Sequence, residues 1–74
     1  TMRIVLHMTL AADAKAPEAD IQLSEEKKIK DLIEQMDVAI ADVGIILKNG
    51  NWVEQDAYVG NEDKLEVFPV LAGG

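Results

Sequence analysis

The residues best placed to do chemistry stand at the end of the chain, Gly73 and Gly74. A carboxylate is a poor acyl donor until it carries a leaving group. Once it does, its acyl carbon must be open to attack from above the acyl plane, and a Cβ on Gly74 would crowd that approach. Gly73 can take dihedrals that other residues avoid, so the backbone there can thread a narrow channel. From Leu71 through Ala72 to Gly74 the chain spans up to about 14 Å when extended, at roughly 3.5 Å per residue. That reach suits a buried site while a folded body docks outside it. The plainer alternative is a frayed terminus, but a chain ends in two glycines by chance only about once in two hundred.

Other groups offer less. His7 is the sole histidine and there is no cysteine, whereas metal sites need three or four ligands. His7 is therefore expected to be a surface residue and no metal is expected. The carboxylates do not fall at calcium-loop spacing, and no glycine-rich phosphate loop occurs. With no recognisable nucleophile–base pair, the chain is not expected to be an enzyme on its own. Trp52 and Tyr58 are expected to pack or to sit in a hairpin rather than to stack on a ligand.

Composition bounds the class. A chain of 74 residues makes one domain, read as residues 1–71 with a tail at 72–74, and its core is necessarily small. An apolar fraction of 49% belongs to a globular domain rather than a disordered one. The net charge of −7 argues against nucleic acid, whose phosphates need clustered Lys and Arg. Lys27, Lys28 and Lys30 lie among Glu25, Glu26, Asp31 and Glu34, as on a solvated helix face. Acidity of this degree suits docking to a more basic partner. No run reaches the roughly 18 apolar residues of a membrane span and no secretory signal is legible, so a cytoplasmic location is expected. Met2 is the expected native start, with Thr1 a foreign remnant.

Positioning the tail falls to a predictable set of elements. Met2, Ile4, Leu6, Met8 and Leu10 share one face of an alternating run, the pattern of a half-buried strand. Ala11 to Pro17 reads as a loop, and Ile21 and Leu23 suggest a short second strand. Ser24 fits a helix N-cap, with Glu25 and Glu26 at the positive end of the dipole. Ile29, Leu32, Ile33 and Met36 then make one apolar stripe on a helix of about three turns. Val43 to Leu47 reads as a central strand. Asn49-Gly50 signals a type I′ hairpin turn, since both positions need positive φ, and Asn51 to Gln55 returns. Gly60 to Asp63 reads as a turn. Lys64 to Val70 is the last strand, with Leu65 and Val67 facing the core and Glu66 and Phe68 facing out.

A right-handed crossover must lay the helix on one sheet face, and the last strand fits best in the centre, beside the first. The expected fold is α+β: a β-grasp, with a mixed sheet of four to five strands and one helix across it. On the open face Phe68 and Ile46 are candidates for a docking patch, with Leu71 at its edge.

Two segments carry a resemblance to a known family. Val43-Gly44-Ile45-Ile46-Leu47-Lys48-Asn49-Gly50, followed by Lys64-Leu65-Glu66-Val67-Phe68-Pro69-Val70-Leu71-Ala72-Gly73-Gly74, resembles the second half of the ubiquitin-like sulfur carriers. These include the small subunit of molybdopterin synthase and the thiamine-biosynthesis carrier. Asp63 matches the acid of the family's turn, while Glu62 stands where the family usually has Gly. The longer Ala11–Pro17 loop and Phe68-Pro69 favour the molybdopterin branch. The resemblance implies that Gly74 is adenylated by an E1-like adenylating enzyme that consumes ATP. A persulfide donor then converts it to a thiocarboxylate, and a sulfur-accepting synthase subunit receives the sulfur. It implies no bound cofactor. The alternative is a ubiquitin-like modifier joined through Gly74 to lysines; ubiquitin has Arg before its glycines, where this chain has Ala72, which favours the carrier.

Overall fold

The computed structural model describes residues 1–13 and 16–70. Its first strand, β1 (Met2–Leu6), pairs antiparallel with β2 (Glu18–Ile21) and parallel with the last strand, β7 (Lys64–Pro69). On its other side β7 pairs antiparallel with β4 (Val43–Lys48), which pairs with β5 (Asn51–Val53) across the hairpin. The five-stranded sheet thus runs β2-β1-β7-β4-β5. Two short strands, β3 (Lys27–Lys28) and β6 (Tyr58–Val59), form a separate ladder. The helix α2 (Ile29–Gln35) crosses one face of the main sheet and completes the expected β-grasp.

Alternation along the central strands builds the core. Ile4 and Leu6 of β1 lie beside Leu65 and Val67 of β7, and all four are buried. Ile29, Leu32 and Ile33 of α2 close over them, with Met36 partly buried at the helix end. Here the apolar stripe keeps its expected register.

The helix start does not. Ser24 to Glu26 are not helical, Lys27 and Lys28 pair with Val59 and Tyr58, and α2 begins only at Ile29 without a side-chain cap. Its first amides are satisfied from far along the chain. The Ile29 N–H donates to the Ala57 carbonyl at 2.9 Å and the Lys30 N–H to the Gln55 carbonyl at 3.0 Å. Backbone carbonyls of a distant loop do the work expected of Ser24, because orphan amides accept any well-placed oxygen.

The first strand is shorter than its alternation suggests. Met8 takes a left-handed φ of 56°, breaking the extended run. A short helix, α1 (Thr9–Asp13), comes next and buries Leu10. Part of the expected Ala11–Pro17 loop is therefore helical. The second strand lies earlier than expected, at Glu18–Ile21, and Leu23 instead donates its N–H to the Asn61 side-chain oxygen at 2.8 Å.

Turns behave as their residues dictate. Asn49 and Gly50 have φ of 53° and 85°, as a type I′ turn requires. The Asn49 side chain then reaches across to the next turn. Its Nδ2 donates to Asp63 Oδ1 at 2.8 Å, and its Oδ1 accepts from the Lys64 N–H at 2.9 Å. The other Asp63 oxygen accepts from the Gly60 N–H at 2.7 Å. These donors, Gly60 first and Asn49 second, hold the Asp63 carboxyl below the usual carboxylate range. A depressed folded pKa contributes stability that is present above the unfolded value and lost as pH falls through the folded one. Asp63→Asn should therefore lower stability at neutral pH and shrink the further drop below pH about 4. Urea unfolding from pH 7 to pH 2 checks this; an unchanged pH profile in Asp63→Asn would place the acid dependence elsewhere.

A bulge interrupts the β4–β7 pairing. Val43 lies opposite Pro69, but Ile45 lies opposite Phe68, leaving Gly44 unpaired between them. A Cβ built on Gly44 would stand 2.6 Å from the Pro69 carbonyl oxygen and 3.0 Å from the Val70 Cα. Backbone cannot give way as a side-chain tip can, so only glycine lets β7 lie this close. Beside it the Val70 N–H donates to the Asp42 carbonyl at 2.9 Å. Gly44→Ala should cost about 1–3 kcal/mol, as overpacking does, and should raise hydrogen exchange at the Val70 amide. Wild-type stability in this variant would show that the two strands separate freely.

Candidate functional site

The end of β7 sets where the tail leaves the body. Pro69 is buried opposite Val43, and Val70 is exposed and tied to Asp42. Leu71, Ala72, Gly73 and Gly74 lie outside the described residues. Among the described residues the site comprises the surface around Val70 and the sheet face that runs up to it.

That face is the one turned away from α2. Strand pairing places its residues in rows. One row runs Glu18, Val5, Glu66, Leu47, Trp52 across β2, β1, β7, β4 and β5. Nearer the tail, Ile45 stands opposite Phe68. The His7 ring stacks on Phe68 from the other side, with centroids 4.3 Å apart and planes within 4°. At the same end Met8 and Val70 are exposed. The result is an apolar patch at the foot of the tail, centred on Phe68.

The bulge decides which isoleucine joins it. Ile46 is the candidate that alternation names, but it is 3% exposed and lies in the core opposite Val67 and Val53. Ile45, at 44% exposure, takes the open-face position. One unpaired residue at Gly44 reverses the parity of everything after it, so simple alternation from Val43 assigns the wrong face. The signal available in sequence is Gly44 itself, since a glycine inside a strand often marks a bulge.

His7 is more than a surface histidine. Its side chain is partly buried, and its Nε2 lies 3.1 Å from Glu66 Oε2. The stack and this hydrogen bond fix Phe68 and Glu66 at once. Trp52 sits in the hairpin as expected but is 72% exposed, and Tyr58 is half exposed, so neither packs into the core. Among the described residues no group of His, Cys, Asp and Glu could hold a metal, and no helix is long and apolar enough to cross a membrane.

A β-grasp sheet with one helix across it and an apolar patch on its open face defines a ubiquitin-like protein. Two solved structures show the same fold. SAMP1 from Haloferax volcanii is 18% identical, with 99% of this chain and 98% of that one covered and a TM-score of 0.72. A putative molybdopterin converting factor, subunit 1, from Pyrococcus furiosus is 24% identical, with 95% and 97% covered and a TM-score of 0.70. No curated protein matches the sequence. The family model described as Mut7-C ubiquitin matches residues 3–73, and the chain belongs to that family.

The two isoleucines separate cleanly by experiment. Ile46→Ala should cost about 2–5 kcal/mol as a core truncation, whereas Ile45→Ala should stay within about 0.5 kcal/mol of wild type. Chemical denaturation of the two variants decides it, and equal losses would contradict the bulge.

Proposed function

We propose that this chain is a sulfur carrier whose Gly74 carboxylate is activated by an adenylating enzyme and converted to a thiocarboxylate, with Phe68 and Ile45 as docking anchors. The observation that carries this reading is the apolar patch on the open face, ending where the chain leaves the sheet for Gly73-Gly74. A partner that grips Phe68 has the terminal carboxylate within a tail's length of the same surface.

The steps come from acyl chemistry. The Gly74 carboxylate attacks the α-phosphorus of ATP and pyrophosphate leaves, giving an acyl adenylate. A persulfide's terminal sulfur attacks the acyl carbon and AMP leaves. A thiol then cleaves the sulfur–sulfur bond, leaving the thiocarboxylate on Gly74. This chain supplies the carboxylate, the unhindered approach to it and the docking surface. It acts as a carrier or small synthase subunit, not as the catalyst, and needs no bound cofactor. Similarity to a putative molybdopterin converting factor subunit supports a sulfur-accepting synthase subunit as the next partner and favours molybdopterin over thiamine. Such traffic belongs in the cytoplasm, where ATP and persulfide donors meet.

The same activation would serve a modifier, whose adenylate ends on a lysine amine instead of a sulfur. Ala72 before the glycines favours the carrier. Deleting Gly74 should abolish ATP–pyrophosphate exchange with the adenylating enzyme of its own cell while leaving the melting curve unchanged, because a terminal tail has few contacts to lose. With a persulfide donor, the intact mass should rise by about 16 Da, one oxygen replaced by sulfur through acyl transfer. Conjugates on other proteins' lysines without that gain would establish the modifier. No adenylate from the full-length chain would defeat both.

A further inference from the structure

The open face carries one feature that an apolar docking patch does not require. Glu66 stands in its middle, between Val5 on β1 and Leu47 on β4, two residues before Phe68. Its side chain is already only 25% exposed in the free protein. Any partner that covers Phe68 must cover Glu66 too.

Among the described residues no lysine or arginine meets this carboxylate. Among the described residues its one partner is His7, through Oε2 at 3.1 Å. Arg3, on the same face, is held by Glu18 at 3.7 Å and Asp20 at 3.4 Å. The Lys48 ammonium donates to the Tyr58 carbonyl at 3.0 Å. Lys64 shares the strand and the face, yet among the described residues no lysine or arginine lies within ion-pair distance of Glu66. Among the described residues only one oxygen of Glu66 has a partner, and covering the other is costly unless a charge and a donor meet it. Beyond Val5 in the same row stands Glu18, a second acid, which Arg3 already holds.

We infer that the docking partner presents a cation, best a guanidinium, which meets the second oxygen of Glu66 inside the apolar contact around Phe68. A planar fork of donors can take that oxygen while His7 keeps the other, and guanidinium tolerates desolvation better than an ammonium. Glu66 then selects the partner: an apolar groove without the cation is rejected because it would bury the second Glu66 oxygen without a donor. His7 is a positioning residue, fixing Glu66 by its hydrogen bond and Phe68 by its stack.

The inference rests on the adenylation reading, and its test separates the two. Binding of the cell's adenylating enzyme is measured by titration calorimetry for wild type, Phe68→Ala, Glu66→Gln and Glu66→Leu, with melting curves for each. On a merely apolar patch Glu66→Leu adds greasy surface and tightens binding. Here it should weaken binding about thirtyfold or more, as loss of one member of a buried charge pair does. Glu66→Gln should weaken it in the same direction while folding as wild type does. Binding of Glu66→Leu equal to or tighter than wild type, with adenylate still formed, overturns this inference and leaves the carrier reading standing. Wild-type affinity that climbs as pH falls from 8 to about 5.5 and loses that climb in His7→Gln would put the positive charge on His7, and also overturns it. A wild-type chain that neither binds nor is adenylated overturns both readings together.

Discussion

The whole fold depends on β7 lying between β1 and β4. The last strand of the chain is the central strand of the sheet, hydrogen-bonded along both edges. Its parallel pairing with β1 joins the two ends of the sequence and forces a crossover, which α2 supplies on one face. Leu65 and Val67 then project into the core under Ile29, Leu32 and Ile33, while Glu66 and Phe68 project to the opposite face. The strand that stabilises the body is thus the strand that presents the apolar patch of the open face and leads toward Gly73-Gly74. Ladders on both edges of β7, and the tie from Val70 to Asp42, give that terminus a fixed origin on the body.

So small a core leaves much of the ordering to polar ties between segments distant in sequence. Asn49 and Asp63 join the hairpin turn to the turn before β7, Asn61 holds Leu23, and the carbonyls of Gln55 and Ala57 start α2. Each tie satisfies a backbone or side-chain group that would otherwise face water or nothing. The region between β5 and β7 holds only the two-residue strand β6, yet it caps the helix, pairs with β3 and fixes the entry to the central strand.

Charge and apolar surface work together on the open face. The net charge of −7 favours encounter with a basic partner, while the apolar ring around Phe68 supplies area to bury. Glu66 stands where both demands meet, held by the same histidine that stacks on Phe68. Charged and apolar side chains thus stand side by side on a single strand.

Much of this was legible in the sequence, wherever a local rule is decisive. The period of Met2 to Leu6 and of Lys64 to Val67, the stripe Ile29-Leu32-Ile33-Met36 and the turn at Asn49-Gly50 all depend on backbone geometry within a few residues. They specify a β-grasp with Phe68 outward. The chemistry proposed for Gly74 rests on the sequence alone, since steric access to a carboxylate is a property of the residue that bears it. What the sequence could not decide were contacts between distant segments. Ser24 is a good cap in isolation, but Ala57 and Gln55 reach the helix first. Ile45 and Ile46 are equivalent as apolar residues, until β7 packs against Gly44 and shifts the strand's parity by one. His7 and Glu66 are 59 residues apart in sequence and become neighbours only because the first and last strands pair in parallel. Short-range sterics determined the elements; long-range pairing decided which side chains share the open face of the sheet.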